Sequence, residues 1–236
     1  VNACSAWRRG STPSTSAMGT PESLDESWDV LPITVTVTNT GAGHRVPAGF
    51  SQEREVWVEL TVRDDVGVIY RSGYLVDSPH PETGEPVPDG RLDDEDLQGH
   101  HVNVDPQTLA STFIEGPDVD RRPEENLGLV NFQNAFVRIL PDGTWAKVVN
   151  PLLADHMDNS YSLDMLQPEV IRYDVPRPRR AIEGVLRVET RLRYRAFPPY
   201  FLRALAQRSP ELVTEDIVDR NTIVDMAEDA CVVTVQ

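Results

Sequence analysis

Residues 35–65, VTVTNTGAGHRVPAGFSQEREVWVELTVRDD, decide the fold. On their N-terminal side Ile33, Val35 and Val37 alternate with Thr34, Thr36 and Thr38, and on the far side Val56, Val58, Leu60 and Val62 alternate with Trp57, Glu59, Thr61 and Arg63. Period-two alternation marks strands with one buried and one solvated face, as in antiparallel sheets. Between them Gly41 and Gly43 bracket a turn, Pro47 stiffens its exit and Gly49 adds a hinge. His44 is therefore predicted on a constrained loop at a sheet end.

Further strands follow the same logic. Asp64-Asp65-Val66-Gly67 is a hairpin turn that suits a type I turn with a bulge, leading into a strand over 68–76. Strands are predicted over 107–115 and 129–140, the second interrupted by Gln133 and Asn134, and Pro141-Asp142-Gly143 turns the chain into a strand over 145–149. A last long pair spans 167–175 and 182–194, joined by Pro176-Arg177-Pro178-Arg179-Arg180, with a ladder of arginines on the polar face of the second strand. Apolar residues at helical spacing follow Pro198-Pro199 and stop at Ser209-Pro210. A second short helix over 214–220 opens on Thr214 with Glu215 and Asp216 in its first turn, and a final strand covers 231–235. Many short strands with regular turns predict an all-β fold: an antiparallel β-sandwich of immunoglobulin or fibronectin type, with one or two short C-terminal helices over about 197–220.

Two segments depart from this pattern. Residues 1–28 are rich in Ser, Thr, Pro and Gly without apolar periodicity and read as an extended leader or linker, which leaves 29–236 as the domain. Residues 77–105 form a long acidic insertion with Asp93-Asp94-Glu95-Asp96 and then Gly99-His100-His101.

A formal net charge of −16 disfavours nucleic acid and anionic membrane surfaces, since both recruit Lys and Arg. Cationic proteins and calcium suit such a field, and a solvated acidic surface accounts for it equally well. No apolar run approaches the roughly 20 residues of a membrane span. The opening Val1-Asn2-Ala3-Cys4 loosely fits a lipoprotein cleavage box, although a processed lipoprotein would begin at its cysteine. A bridge between Cys4 and Cys231 would tie the two ends together, and two unrelated thiols are the alternative. With two cysteines so placed there is no C-x-x-C zinc element and no C-x-x-C-H for covalent haem attachment. Nucleophile elbows, H-E-x-x-H, phosphate loops and dinucleotide fingerprints are also missing, so no catalytic residue is assigned.

Several segments together resemble one family. Asn39-Thr40-Gly41-Ala42-Gly43-His44-Arg45-Val46-Pro47-Ala48-Gly49, then Arg54-Glu55-Val56-Trp57-Val58-Glu59 and Tyr70-Arg71-Ser72-Gly73, resemble the β-sandwich domain C-terminal to the haem-bearing part of bacterial multihaem c-type cytochromes. Leu129-Val130-Asn131-Phe132-Gln133-Asn134 resembles its middle strand, and Asp158-Asn159-Ser160 with Arg172-Tyr173-Asp174-Val175 its return strand. Leu192-Arg193-Tyr194-Arg195-Ala196-Phe197-Pro198-Pro199-Tyr200 is similar to its exit into a helix, so the likeness covers most of residues 30–228. The resemblance implies an extracytoplasmic, periplasmic or cell-surface, electron-transfer assembly. In it this chain would be a non-catalytic module beside a c-type cytochrome subunit or haem domain, in a hetero-oligomer. The departure is the missing haem-attachment motif, so any haem c would belong to the partner.

Against that background His44 is a candidate axial ligand to a neighbour's haem iron, with Gly41 and Gly43 clearing the approach; the alternative is a histidine that hydrogen-bonds within its own loop. His100 and His101 are candidates for the same contact, and Asp93, Asp94 and Asp96 for calcium, though adjacent acids do not space ligands as a calcium loop does. Arg177, Arg179 and Arg180, the one basic cluster, suit carboxylates or haem propionates, or form a plain surface turn. Asp155-His156-Met157-Asp158 sets a histidine between acids in a predicted loop, a candidate ligand site or a plain polar loop. From a different class, the same chain reads as a secreted ligand-binding or adhesion module that takes calcium.

Overall fold

The computed structural model describes residues 3–4, 14–21, 23–24, 27–76, 96–97, 102–104, 111–113, 129–143, 145–148, 150–214, 217 and 220–235. In chain order the first strands are β1 (Ala3–Cys4), β2 (Ser14–Gly19), β3 (Ser23–Leu24), β4 (Val30–Asn39), β5 (Glu55–Arg63), β6 (Val68–Ser72) and β7 (Leu75–Val76). Short strands follow: β8 (Asp96–Leu97), β9 (Val102–Val104), β10 (Ser111–Phe113), β11 (Val130–Asn131), β12 (Ala135–Ile139), β13 (Trp145–Val148) and β14 (His156–Asp158). Three long elements and a helix complete the chain: β15 (Pro168–Pro176), β16 (Leu186–Arg195), α1 (Pro199–Arg208) and β17 (Ile223–Val235). No helix among the described residues is long and apolar enough to cross a membrane.

Two sheets supply the core. One runs β1-β2-β4-β15, the other β11-β5-β16-β17-β3 with β6 added along β5. All these pairings are antiparallel except β17 with β3. Leu31, Ile33, Val35 and Val37 of β4 and Ile171, Tyr173 and Val175 of β15 meet Val56, Val58, Leu60 and Val62 of β5 and Leu186, Val188 and Leu192 of β16 in one hydrophobic cluster. The alternation seen in the sequence thus becomes two apolar faces turned toward each other, and their burial supplies the driving force for the fold. Pro32 is tolerated inside β4 because β2 pairs only from Thr34 to Asn39, so no β2 partner lies beside the missing N–H.

Four expectations change. Within residues 1–28, Ser14–Gly19 is not a leader but strand β2, paired along β4 with Met18 in the core. Its composition hides it, since STSAMG shows no apolar alternation. The segments 167–175 and 182–194 do not pair with each other. β15 joins β4 and β16 lies between β5 and β17, so Arg177–Val185 crosses from one sheet to the other. The stretch 129–140 is two strands in two sheets, β11 on β5 and β12 on β13 and β14. The closing strand begins at Ile223 rather than Cys231, two of its three acidic residues finding partners within the fold: Asp225 in Arg193, and Asp229 in the amides of Met18 and Ala230.

The remaining expectations meet the structure in part. The β5–β6 turn falls at Asp64–Gly67, with a register shift between Val62 and Arg63. Helix α1 starts with Pro199 in its first turn and ends at Ser209. The predicted 214–220 helix and the 107–115 strand lie mostly outside the described residues, as does the acidic insertion, of which β8 pairs with β7. Cys231 is buried, its Sγ 3.2 Å from Thr20 Oγ1; the side chain of Cys4 lies outside the described residues.

One glycine is required by a close approach. Gly73, at φ +65°, would place a Cβ 2.1 Å from the Val58 carbonyl oxygen, and its own carbonyl accepts the buried Trp57 Nε1–H at 2.9 Å. Gly73→Ala is expected to lower unfolding free energy by about 2 kcal/mol or more, combining left-handed strain with the clash. Urea titration followed by tryptophan fluorescence measures this; an unchanged midpoint would contradict the contact.

Candidate functional site

The Gly41–Phe50 loop leaves β4 at Asn39, which is fully buried and shapes it. Asn39 Nδ2 donates to the His44 carbonyl at 2.6 Å, and its Oδ1 accepts the Ala42 amide at 3.2 Å. Val46 exchanges two backbone hydrogen bonds with Leu163, Arg45 pairs with Asp164 at 2.5 Å, and the Leu166 amide reaches the Asn39 carbonyl. Loops 40–50 and 159–167 therefore form one surface. His44 lies on it exposed, and its Nδ1–H donates to the Arg45 carbonyl at 2.8 Å. In a neutral imidazole that bond puts the lone pair on Nε2. Gly41 and Gly43 are exposed beside it, and nothing lies within 4 Å of where a Cβ on Gly43 would stand. Phe50, Met165 and Leu166 add apolar surface on the same pair of loops, at 64%, 49% and 65% exposure.

The loop runs on into a buried polar cluster. Residues Ser51–Glu53 form a single 3₁₀ turn and lead directly into β5. Glu55 sits opposite Arg195 in the β5–β16 register, and both Nε (2.8 Å) and Nη2 (2.5 Å) of Arg195 donate to Glu55 Oε2. Both side chains are essentially excluded from solvent. Two residues on, Trp57 lies with the Arg193 and Arg195 guanidinium carbons 5.8 Å and 5.7 Å from its ring centroid, a double cation–π contact. Arg193 in turn bonds Glu59 and Asp225. Leu97 from the acidic insertion and Leu129 close over Trp57 with Leu75 and Ile223. The arginine ladder of β16 is therefore solvated at one end, where Arg63 meets Glu189 and Arg187 meets Asp65, and internal at the other.

Glu53 is the odd member. It is buried, its Oε2 finds no partner, and burial followed by the charge of Glu55 pushes its carboxyl up to about 8. Arg195 is already engaged by Glu55, so a second carboxylate would be uncompensated. The turn is held instead by neutral bonds, Gln133 Nε2 to the Gln52 carbonyl and Asn134 Nδ2 to Ser51 Oγ. Nothing in the hydrophilic string SQERE marks these side chains as internal; only the exit motif LRYRAFPPY, which supplies Arg195, hints at a partner.

The other candidates do not converge on His44. Arg177 lies over the Trp28 ring at 5.9 Å, Arg179 is exposed, and Arg180 forms a two-pronged pair with Asp64 at 2.5 and 2.7 Å. Asp64 also accepts the amides of Val66, Gly67 and Glu183, and the Arg180 guanidinium holds its carboxyl well below the usual range. The basic cluster thus ties the crossover to the β5–β6 hairpin. His100, His101, Asp93 and Asp94 lie outside the described residues, as does the side chain of Asp96. Among the described residues no group of three or more His, Cys, Asp or Glu could hold a metal ion. Comparison with protein-family models, curated proteins and solved structures finds no match.

The cluster makes stability depend on pH in a definite sense. Glu53 is protonated in the folded chain up to about 8, while in the unfolded chain it ionises near 4.5. Unfolding free energy should therefore fall as pH climbs from about 4.5 to 8 and level off above. Glu53→Gln should remove that fall and be more stable than the parent at pH 8.5 by an amount on the order of 3–5 kcal/mol. Urea unfolding at pH 5 and 8.5 tests it; parallel profiles for the two proteins would contradict a buried neutral Glu53.

Proposed function

We propose that the chain is a non-catalytic β-sandwich module of immunoglobulin or fibronectin type in an extracytoplasmic multihaem electron-transfer assembly. Its Gly41–Phe50 loop faces a c-type cytochrome subunit or haem domain, and His44 lends Nε2 to that partner's haem iron. The observation that carries this is the convergence of the segments that resemble the cytochrome-associated domain. Glu55 and Trp57 of the second segment meet Gly73 of the third, Asn131 of the fourth, and Arg193 and Arg195 of the last, while Gln133 and Asn134 of the fourth hold the 51–53 turn that joins the first segment to the second. Residues scattered over more than a hundred positions build one buried cluster, and the 51–53 turn links it to the loop of the first segment.

The loop suits the role on its own chemistry. A histidine whose Nδ1–H is fixed on a backbone carbonyl presents Nε2 in the tautomer that ligates iron, and the glycine beside it leaves the approach open. The exposed apolar side chains Phe50, Met165 and Leu166 supply the contact area that a protein partner would cover. The haem would supply the redox centre; the chain supplies an oriented imidazole and a rigid platform.

The natively isolated assembly tests this by absorption spectroscopy. A Soret band should accompany the chain, and His44→Ala should alter the low-spin haem bands or their reduction potential while leaving the chain's melting curve unchanged. Isolation of the chain without any haem protein would overturn the proposal.

A further inference from the structure

The three-stranded sheet β13-β12-β14 carries a cavity of about 450 Å³, within the ~300–1,000 Å³ typical of small-molecule sites. Its floor is Ala135, Val137 and Ile139, alternate residues of β12. In the β12–β14 register Asp158 stands opposite Ala135 and His156 opposite Val137, so alternation puts both on the face of that floor. Tyr161 completes the rim and Gly143, with open space around it, lies at the hairpin end. The near strand is held in place by Asp155, whose amide donates to the Val137 carbonyl at 2.8 Å and whose Oδ2 accepts the Ile139 amide at 2.6 Å. Asp158 Oδ1 accepts the Ser160 amide at 2.9 Å.

The lining selects a ligand by its chemistry. A flat floor of aliphatic carbon calls for a ligand with an apolar face. A carboxylate only accepts hydrogen bonds, whereas an imidazole and a phenol both donate and accept, so the ligand edge must offer several groups of both kinds. The net charge of −16 repels anions. An organic ammonium donates only, so it would satisfy Asp158 but offer no acceptor to the N–H of His156 or the O–H of Tyr161. A neutral polyhydroxylated ring meets all four conditions.

We propose that this pocket binds a carbohydrate, the C–H face of a sugar ring lying on Ala135, Val137 and Ile139 and its hydroxyls directed to His156, Asp158 and Tyr161. None of the lining residues belongs to the loop that carries His44, and the assignment does not depend on the haem proposal.

The test is a nitrogen-15 NMR titration of the full chain with cellobiose, lactose, mannobiose, chitobiose and xylobiose, with tryptamine and indole-3-acetate as charged apolar probes. At least one disaccharide should shift the amides of residues 135–139 and 156–161 saturably, and Asp158→Asn and Tyr161→Ala should each weaken that binding about tenfold. His156→Gln serves as a third variant if either of the others fails to fold, with the same expectation. Absence of shifts with every disaccharide, shifts that persist in all variants, or binding of a charged probe alone would overturn the assignment.

Discussion

A guanidinium and a carboxylate sealed from water, Arg195 and Glu55, hold β16 to β5 at the end where β5 emerges from the Gly41–Phe50 loop. Removing two charges from water is expensive, and the attraction between them repays it only when geometry and partners are right. Here Arg195 brings two of its N–H groups to one oxygen and stacks near Trp57, which itself bonds the Gly73 carbonyl. A slip of one residue in the β5–β16 register would bury an unpaired charge and turn Val56, Val58, Leu60 and Val62 away from the core. The pair therefore specifies which face of each strand is internal, whatever its net contribution to stability.

The same pair explains its surroundings. With Arg195 engaged, Glu53 is kept neutral, and the 51–53 turn must be held by amide and hydroxyl groups from Gln133 and Asn134. Those two residues interrupt the apolar run after β11 and send the chain into a different sheet as β12. Leu97 and Leu129 then cover Trp57, which anchors one point of the acidic insertion to the body of the protein.

Much of this was legible from local pattern. β4, β5 and β16 are written as clean alternation, the 64–67 turn as a short acidic stretch closed by glycine, and α1 as apolar spacing between prolines. What was not legible depends on partners distant in sequence. β2 looks like linker because STSAMG shows no apolar alternation; the front of β17 looks like loop because Asp225 and Asp229 find their partners on β16 and β2. The crossover between β15 and β16 reads as a hairpin turn, since Arg180 reveals its role only when Asp64 comes beside it. His44 was visible as a candidate from its glycines, whereas Glu53 carries no local sign of burial, and the His156 pocket exists only once β12 and β14 are in register.

Glu55 and Arg195 act as one unit on which the loop-bearing end of the fold rests. A double-mutant cycle measures it most directly, using Glu55→Met, Arg195→Met and the pair together, each followed by urea unfolding. Each single substitution should cost about 3–5 kcal/mol, and the double should be less destabilised than the sum by about 2 kcal/mol or more, since it leaves no charge stranded. Single substitutions costing under about 1 kcal/mol, or losses that add within about 0.5 kcal/mol, would contradict it.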